Sequence, residues 1–351
     1  MNALRLRALG FAALVVLLLV VFLRVSRPTE PRPTPLHSAF IEVGFSRPSP
    51  AGPGSLRGGP DAQLAEAIDG AEQAVDMAIY DLDLWSIRDA LLRAQARGVV
   101  VRLVIEADNL GVREIGELIA AGVPVVADGW EPLMHDKFTV IDGREVWTGS
   151  MNYTVRDAYF NDNNLVRLVS PQVGRAYHEE FEEMFLDDAF GLFSPPGRGT
   201  RLNLEDGTAL EVYFAPDDHP LERILELVDS AAERVEFLGF ALTSAELAEA
   251  LVESRSRGVS VRGVMEAGQA ANLGSQWDAL RRAGIDVHLD GNADNMHHKV
   301  IVIDGAIVVT GSYNFSRSAE EFNDENLVIL YDRDLALAYK TEFERVFEEA
   351  R

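Results

Sequence analysis

Apolar and polar residues come in blocks along this chain, and the block period switches between that of a helix and that of a strand. Asp61 to Glu72 repeats its apolar positions at helical spacing, Val75 to Tyr80 is an apolar run of strand length, and Ser86 to Arg97 is helical again until Gly98 stops it. Val99 to Ile105 reads as a buried strand, a short helix ends near Ala121, and Val123 to Val126 is a further strand. Strands alternating with helices predict an α/β fold whose sheets are mixed, mostly parallel and flanked by helices. Phe138 to Ile141 and Glu145 to Thr148 then form a strand pair around Asp142-Gly143, a dipeptide that favours a tight hairpin.

The pattern recurs. Arg97-Gly98-Val99 returns as Arg257-Gly258-Val259, Ala121-Gly122-Val123 as Ala283-Gly284-Ile285, and Tyr177, Phe181 and Phe185 as Tyr339, Phe343 and Phe347. The offset is 160 early (257 − 97) and 162 later (283 − 121), so the second copy carries two extra loop residues between those points. A period this long makes each copy a whole domain. The expected organisation is a first domain over 38–190, a linker over 191–208 and a second domain over 209–351, related by a pseudo-twofold axis.

Ahead of the repeats, Ala8 to Leu23 is unbroken apolar sequence with arginines on both sides. Its length is near the lower end of the ~17–25 residues that span a bilayer. No small-x-small cleavage site follows, so 1–25 is expected to be a signal anchor, with a cleaved signal peptide as the alternative. Pro28, Pro31, Pro33 and Pro35 make 26–37 a stiff tether. The body is expected outside the cytoplasm, membrane-anchored or, after cleavage, secreted.

Composition narrows the chemistry. Lysine plus arginine total 32 against 56 aspartates and glutamates, a formal charge of −24 that argues against nonspecific coating of a polyanion. The absence of cysteine excludes a disulfide framework, a thiolate zinc site and a cysteine nucleophile.

The most informative residues lie at the hairpin. The first copy reads His135-Asp136-Lys137, then Asp142, then Gly149-Ser150-Met151-Asn152; the second reads His297-His298-Lys299, Asp304 and Gly311-Ser312-Tyr313-Asn314, all at the offset 297 − 135 = 162. Positions two apart on a strand face the same side, so each histidine and its lysine project together, and His298 points away. A neutral imidazole can attack phosphorus while an ammonium neutralises the non-bridging oxygens. Ser150, Asn152, Ser312 and Asn314 add uncharged donors for those oxygens. Two copies facing one another give one pocket in which one histidine is the nucleophile and the other protonates the leaving oxygen. The lysines fill the role of a metal, so neither metal nor cofactor is expected, and dimerisation is not required to build the site. Asp142 and Asp304 are read as turn-forming residues that bond local backbone.

These motifs resemble the phospholipase D superfamily, whose His-x-Lys-x4-Asp signature with a following Gly-Ser-x-Asn occurs here twice, over essentially Phe40 to Glu349. The resemblance implies paired α/β domains and a covalent phosphohistidine resolved by water or an alcohol. It assigns His135 and His297 as the catalytic pair, with Lys137, Lys299, Asn152 and Asn314 on the phosphate. It also implies a carboxylate behind each histidine. Glu325 fits that place in the second copy, while the first has Asn163 (325 − 163 = 162), with Asp162 as the alternative. His297, backed by Glu325, is expected to start protonated as the general acid, and His135, backed by Asn163, to start neutral as the nucleophile.

Three readings of substrate follow. A phospholipase D acting on, or transferring, phosphatidyl groups at a membrane surface comes first. A phosphodiesterase nuclease is the alternative, although no basic run with interleaved aromatics is present to grip a strand. A non-catalytic phosphate-binding scaffold is third, since both histidines and both lysines are intact. Trp130, just before the first motif, is the candidate for the mouth of the site.

Overall fold

The first sheet is built from β1 (Ile41–Phe45), β2 (Ala74–Ile79), β3 (Val100–Glu106), β4 (Val125–Asp128), β5 (Lys137–Ile141), β6 (Glu145–Gly149) and β7 (Asn164–Val169). Its spatial order is β1-β7-β6-β5-β2-β3-β4. The second sheet comprises β8 (Thr200–Asn203), β9 (Ala209–Ala215), β10 (Arg234–Gly239), β11 (Ser260–Met265), β12 (Asp286–Leu289), β13 (Lys299–Ile303), β14 (Ile307–Gly311) and β15 (Glu325–Tyr331), in the order β12-β11-β10-β13-β14-β15-β9-β8. This is a computed structural model, and it describes residues 40–49, 52–129 and 132–351. The expected anchor over 1–25, the proline tether over 26–37 and Trp130 lie outside the described residues. Among the described residues no helix is long and apolar enough to cross a membrane.

The α/β class and the tandem arrangement are as expected, but the sheets are not mostly parallel. Only β2 with β3 and β3 with β4 run parallel in the first sheet, as do β10 with β11 and β11 with β12 in the second. The parallel part is made by the helical crossovers Trp85–Ala96 and Ala245–Ser256, which the sequence periodicity showed. The antiparallel part starts at the hairpins. Asp142 and Gly143 both take positive φ (52° and 63°), as a tight I′ turn requires, and the chain reverses. β7 and β15 reverse it again, and β1 and β9 pair antiparallel beyond them. Within the stretch expected as a linker, Thr200–Asn203 is a strand that pairs with β9.

Packing explains the repeated aromatic trio. Each sheet has an outer core beneath its crossover helices, Leu64, Leu91 and Leu103 in the first and Ile224, Leu251 and Val261 in the second. A third core lies between the sheets and takes in both long helices, Pro171–Asp187 and Arg333–Glu349. Tyr177 and Phe181 on one helix, and Tyr339 and Phe343 on the other, are spaced four apart, share one face and are buried there. The two repeats therefore share a core and belong to one compact unit.

Candidate active site

The pseudo-twofold axis passes between the two motifs. The segment before β5 bonds the segment before β15, with Met134 bridging Asp324 and the His135 amide donating to the Asp324 carbonyl at 2.9 Å. The symmetric pair is Met296 with Asp162, and the His297 amide donates to the Asp162 carbonyl, also at 2.9 Å. The contact is reciprocal in the manner of a symmetric dimer, but inside one chain.

This geometry exchanges the partners expected from the sequence. His135 Nδ1 lies 2.8 Å from Glu325 Oε2, and His297 Nδ1 lies 2.9 Å from Asn163 Oδ1. Each histidine is held by the residue of the other repeat, because the main-chain bridges bring β15 to the first motif and β7 to the second. Asp162 does not take that role: its carboxylate bonds Asn292 and Arg345. The expectation that Glu325 backs His297 and Asn163 backs His135 is corrected, and so is the charge argument built on it.

Around the histidines the site is buried and cationic. Lys137 and Lys299 are almost fully enclosed, and each donates to the carbonyl of its own histidine, at 2.7 and 2.9 Å. Lys299 Nζ also lies 3.0 Å from His297 Nε2. Burial pulls Lys137 down to about 8, against the opposing charges of Glu325 and Asp157. Burial and then repulsion by Lys137 push Lys299 well below its usual range. Burial and the two lysines likewise depress both histidines. The same burial pushes Glu325 up to about 8, with the lysines opposing. The lysine and histidine shifts reflect cations crowded away from water, which an entering anion would relieve; the Glu325 shift reflects a buried anion, which a positive charge on the His135 ring would relieve. Tyr80 packs edge-on against His135 with ring centroids 5.0 Å apart, and Phe240 against His297 at 4.5 Å, which fixes both rings.

Other expected site residues divide into two groups. Asn152 and Asn314 each bury an Oδ1 with no hydrogen-bond partner, an acceptor open to an O–H or N–H of a ligand. Ser150 and Ser312 are fully buried and bond residues of the protein itself. Ser150 Oγ donates to Asn163 Oδ1 at 2.8 Å, and Ser312 Oγ accepts from the Asn326 amide at 2.9 Å. The preceding glycines are steric necessities. A Cβ on Gly149 would sit 2.4 Å from the Asn164 carbonyl oxygen, and one on Gly311 2.2 Å from that of Asn326.

Asp142 and Asp304 are structural, though they reach further than a local turn. Asp142 accepts from the backbone amides of Glu72, Gln73 and Ala74, and Asp304 from those of Ala232, Glu233 and Arg234. Each hairpin is thereby tied to the loop entering the strand beside it, β2 in the first sheet and β10 in the second. His298 faces away from the pocket, 3.1 Å from Asn164 and 3.4 Å from Glu342. Sequence reasoning missed Asp157, which lies beneath Asn163; the signal was there, since the offset places Ala319 opposite it (157 + 162 = 319).

A family model described as "Cardiolipin synthase, PLD-like domain" matches residues 64–185 and again 224–347. The chain belongs to this family of PLD-like domains, within the phospholipase D superfamily. A Xenopus tropicalis protein named mitochondrial cardiolipin hydrolase is 39% identical over 132 residues, 38% of this chain and 63% of that protein. A Rickettsia felis protein named phospholipase D is 35% identical over 126 residues, 36% of this chain and 63% of that one. The chain thus spans less than two thirds of the length of these curated relatives. The phosphatidylserine synthase of Haemophilus influenzae Rd KW20 has the same fold, with a TM-score of 0.65, 13% identity and 88% of each chain covered. Several of the relatives are named as mitochondrial. The mitochondrial names run against the expected location outside the cytoplasm, membrane-anchored or secreted, while the expected anchor over 1–25 lies outside the described residues.

Proposed function

We propose that the chain is a phospholipase D-type phosphodiesterase that cleaves phosphatidyl esters through a phosphohistidine. The observation that carries this reading is the crossed backing of the two histidines, Glu325 on His135 and Asn163 on His297, which makes one pocket of two motifs. With the partners exchanged, roles are argued from the intermediate. Glu325 accepts from Nδ1 of His135 and leaves the Nε2 lone pair for attack on phosphorus. Once Nε2 is phosphorylated the ring is cationic, and the buried carboxylate 2.8 Å away stabilises it. His135 is therefore the nucleophile. His297, backed by a neutral amide, holds its proton less firmly and gives it from Nε2 to the leaving alkoxide as the P–O bond breaks. Water then passes a proton to His297 and attacks phosphorus; the P–N bond breaks, and its electron pair returns to His135. An alcohol in place of water gives transfer. Lys137 and Lys299 neutralise the non-bridging oxygens throughout, with Asn152 and Asn314 beside them.

A lipid is favoured as substrate by the names of the relatives and by the charge of −24, which repels a nucleic-acid strand. The test is release of phosphatidic acid from vesicles of phosphatidylcholine, phosphatidylglycerol and cardiolipin in EDTA, with His135→Ala as the blank. Product that disappears in the variant supports the reading. A folded protein that leaves the lipids intact but cleaves single-stranded DNA would replace it with the nuclease alternative. Trapped phosphoenzyme labelled at His297 would reverse the two histidine roles.

A further inference from the structure

The two repeats treat their histidines differently in one respect. His135 meets a carboxylate directly; His297 meets the amide of Asn163, and the carboxylate stands one residue behind. Asp157, on the short helix Val155–Tyr159, is 3% exposed. Its Oδ1 accepts from Asn163 Nδ2 at 3.1 Å and lies 3.8 Å from His297 Nδ1. Its Oδ2 accepts from the Asn152 amide at 2.9 Å, and its own amide is capped by Thr154 Oγ1. In the second repeat the same two positions are Ala319 and Glu325. The pair Asp-and-Asn has thus been traded for Ala-and-Glu, with one carboxylate in each.

We propose that Asp157 is the positioning carboxylate of His297, acting through Asn163. The argument rests on hydrogen-bond polarity. Ser150 Oγ accepts from the Asn164 amide at 3.1 Å, so its proton is free to go to Asn163 Oδ1, while Asn163 Nδ2 donates to Asp157. Both bonds fix the amide with Oδ1 toward His297. An acceptor there requires His297 to carry a proton on Nδ1, which leaves Nε2 as the reacting nitrogen. Without the Asp157 carboxylate only the main-chain carbonyl of residue 157, 3.2 Å from Nδ2, and Ser150 hold the amide, which then turns more readily to present Nδ2 and select the other tautomer. The charge of Asp157 has a second use. His297 is surrounded by Lys299, Lys137, His135 and His298, and a nearby anion keeps its imidazolium accessible.

This inference rests on the phosphodiesterase reading, and the test separates the two. Turnover of bis(4-nitrophenyl) phosphate by the unmodified chain tests the chemistry. Asp157→Asn, which keeps the shape, and Asp157→Ala are expected to lower kcat about tenfold with KM nearly unchanged, and to move the alkaline limb of the kcat profile down by about one pH unit. The double variant Asp157→Ala/Asn163→Glu rebuilds the arrangement of the second repeat and should restore most of kcat and the limb. Nitrogen-15 NMR of the His297 ring gives a readout that needs no turnover: the proton sits on Nδ1 in the parent chain and is shared between tautomers in Asp157→Ala. A folded Asp157→Ala that keeps the parent tautomer and pH profile would overturn the proposal, as would a folded double variant no more active than the single one. A merely structural Asp157 would not be rescued by a glutamate at position 163.

Discussion

Where the long helices meet the site, one repeat pairs its charges and the other leaves its carboxylates unpaired by any cation among them, and stability should follow pH accordingly. Behind the second motif, His298 and Arg345 pair with Glu342 and Asp162. At the offset of 162, the counterparts are Asp136, Glu183, Glu180 and Asp324, four carboxylates with no cation among them. Asp217 joins them, and buried oxygens of Asp136, Glu183 and Asp217 have no hydrogen-bond partner. Burial, with mutual repulsion added, pushes Asp136 and Asp217 up to about 7 and Glu180 and Asp324 well above their usual range. A carboxylate raised in the folded state binds more protons there than in the unfolded chain, so stability is greatest below its unfolded value near 3.8 and falls until the pH passes about 7. For Asp136 alone the rise is about three pH units, or ~4 kcal/mol at about 1.4 kcal/mol per unit. Glu183→Arg copies the second repeat, removing one anion and facing the others with a cation. If it recovers half of that loss, the gain at pH 8 is ~2 kcal/mol, or roughly 4 °C in Tm. Thermal unfolding of both chains from pH 5 to 8 measures it. The gain should vanish at pH 5, where the carboxylates are protonated. A parent Tm that is flat across this range, or a gain equally large at pH 5, would refute the reasoning.

Two further substitutions probe the site and its frame. Glu325→Gln keeps an acceptor for His135 but removes the charge; losing a charge-assisted bond of about 1.5–3 kcal/mol in the transition state predicts a kcat lower by about 10- to 100-fold. Lys137 and Lys299 lose an opposing charge as well, so the alkaline limb for binding a phosphodiester should move to lower pH; a variant within twofold of the parent would show that the carboxylate is not used. Gly311→Ala places a methyl 2.2 Å from the Asn326 carbonyl oxygen and should cost about 3 kcal/mol in denaturant unfolding, while Gly116→Ala, exposed on the helix Arg113–Ala120 with nothing within 4 Å, should gain about 0.5–1 kcal/mol. Equal effects at the two glycines would contradict the close approach of β14 to β15.

Much of this was legible in one sequence because the chain repeats. The offset isolates His135, Lys137, His297 and Lys299 from five other histidines and places the hairpins, whose Asp-Gly turns carry their own backbone signature. Less legible were the return strands. β7 and β15 are apolar runs with no turn dipeptide to announce their direction, and β1 has no local reason to pair with a strand more than a hundred residues away. A mostly parallel sheet was inferred because βαβ units announce themselves through helical periodicity, whereas antiparallel edge strands are set by long-range packing.

The crossed backing of the histidines shows the limit of the repeat as evidence. An offset states that Asn163 and Glu325 are equivalent; it does not state whether each serves its own copy or the other, because both arrangements obey the same symmetry. The choice lies in the backbone bridges Met134–Asp324 and Met296–Asp162, which depend on how two sheets close over a shared core. Once the pairing is crossed, each histidine depends on both domains, and a change in their packing alters the backing of both histidines together. The repeat also supplies the control that a single domain lacks. Asp157 with Asn163 and Ala319 with Glu325 are two solutions to one task within one molecule, and their difference is what identifies Asp157 as part of the machinery and not of the frame.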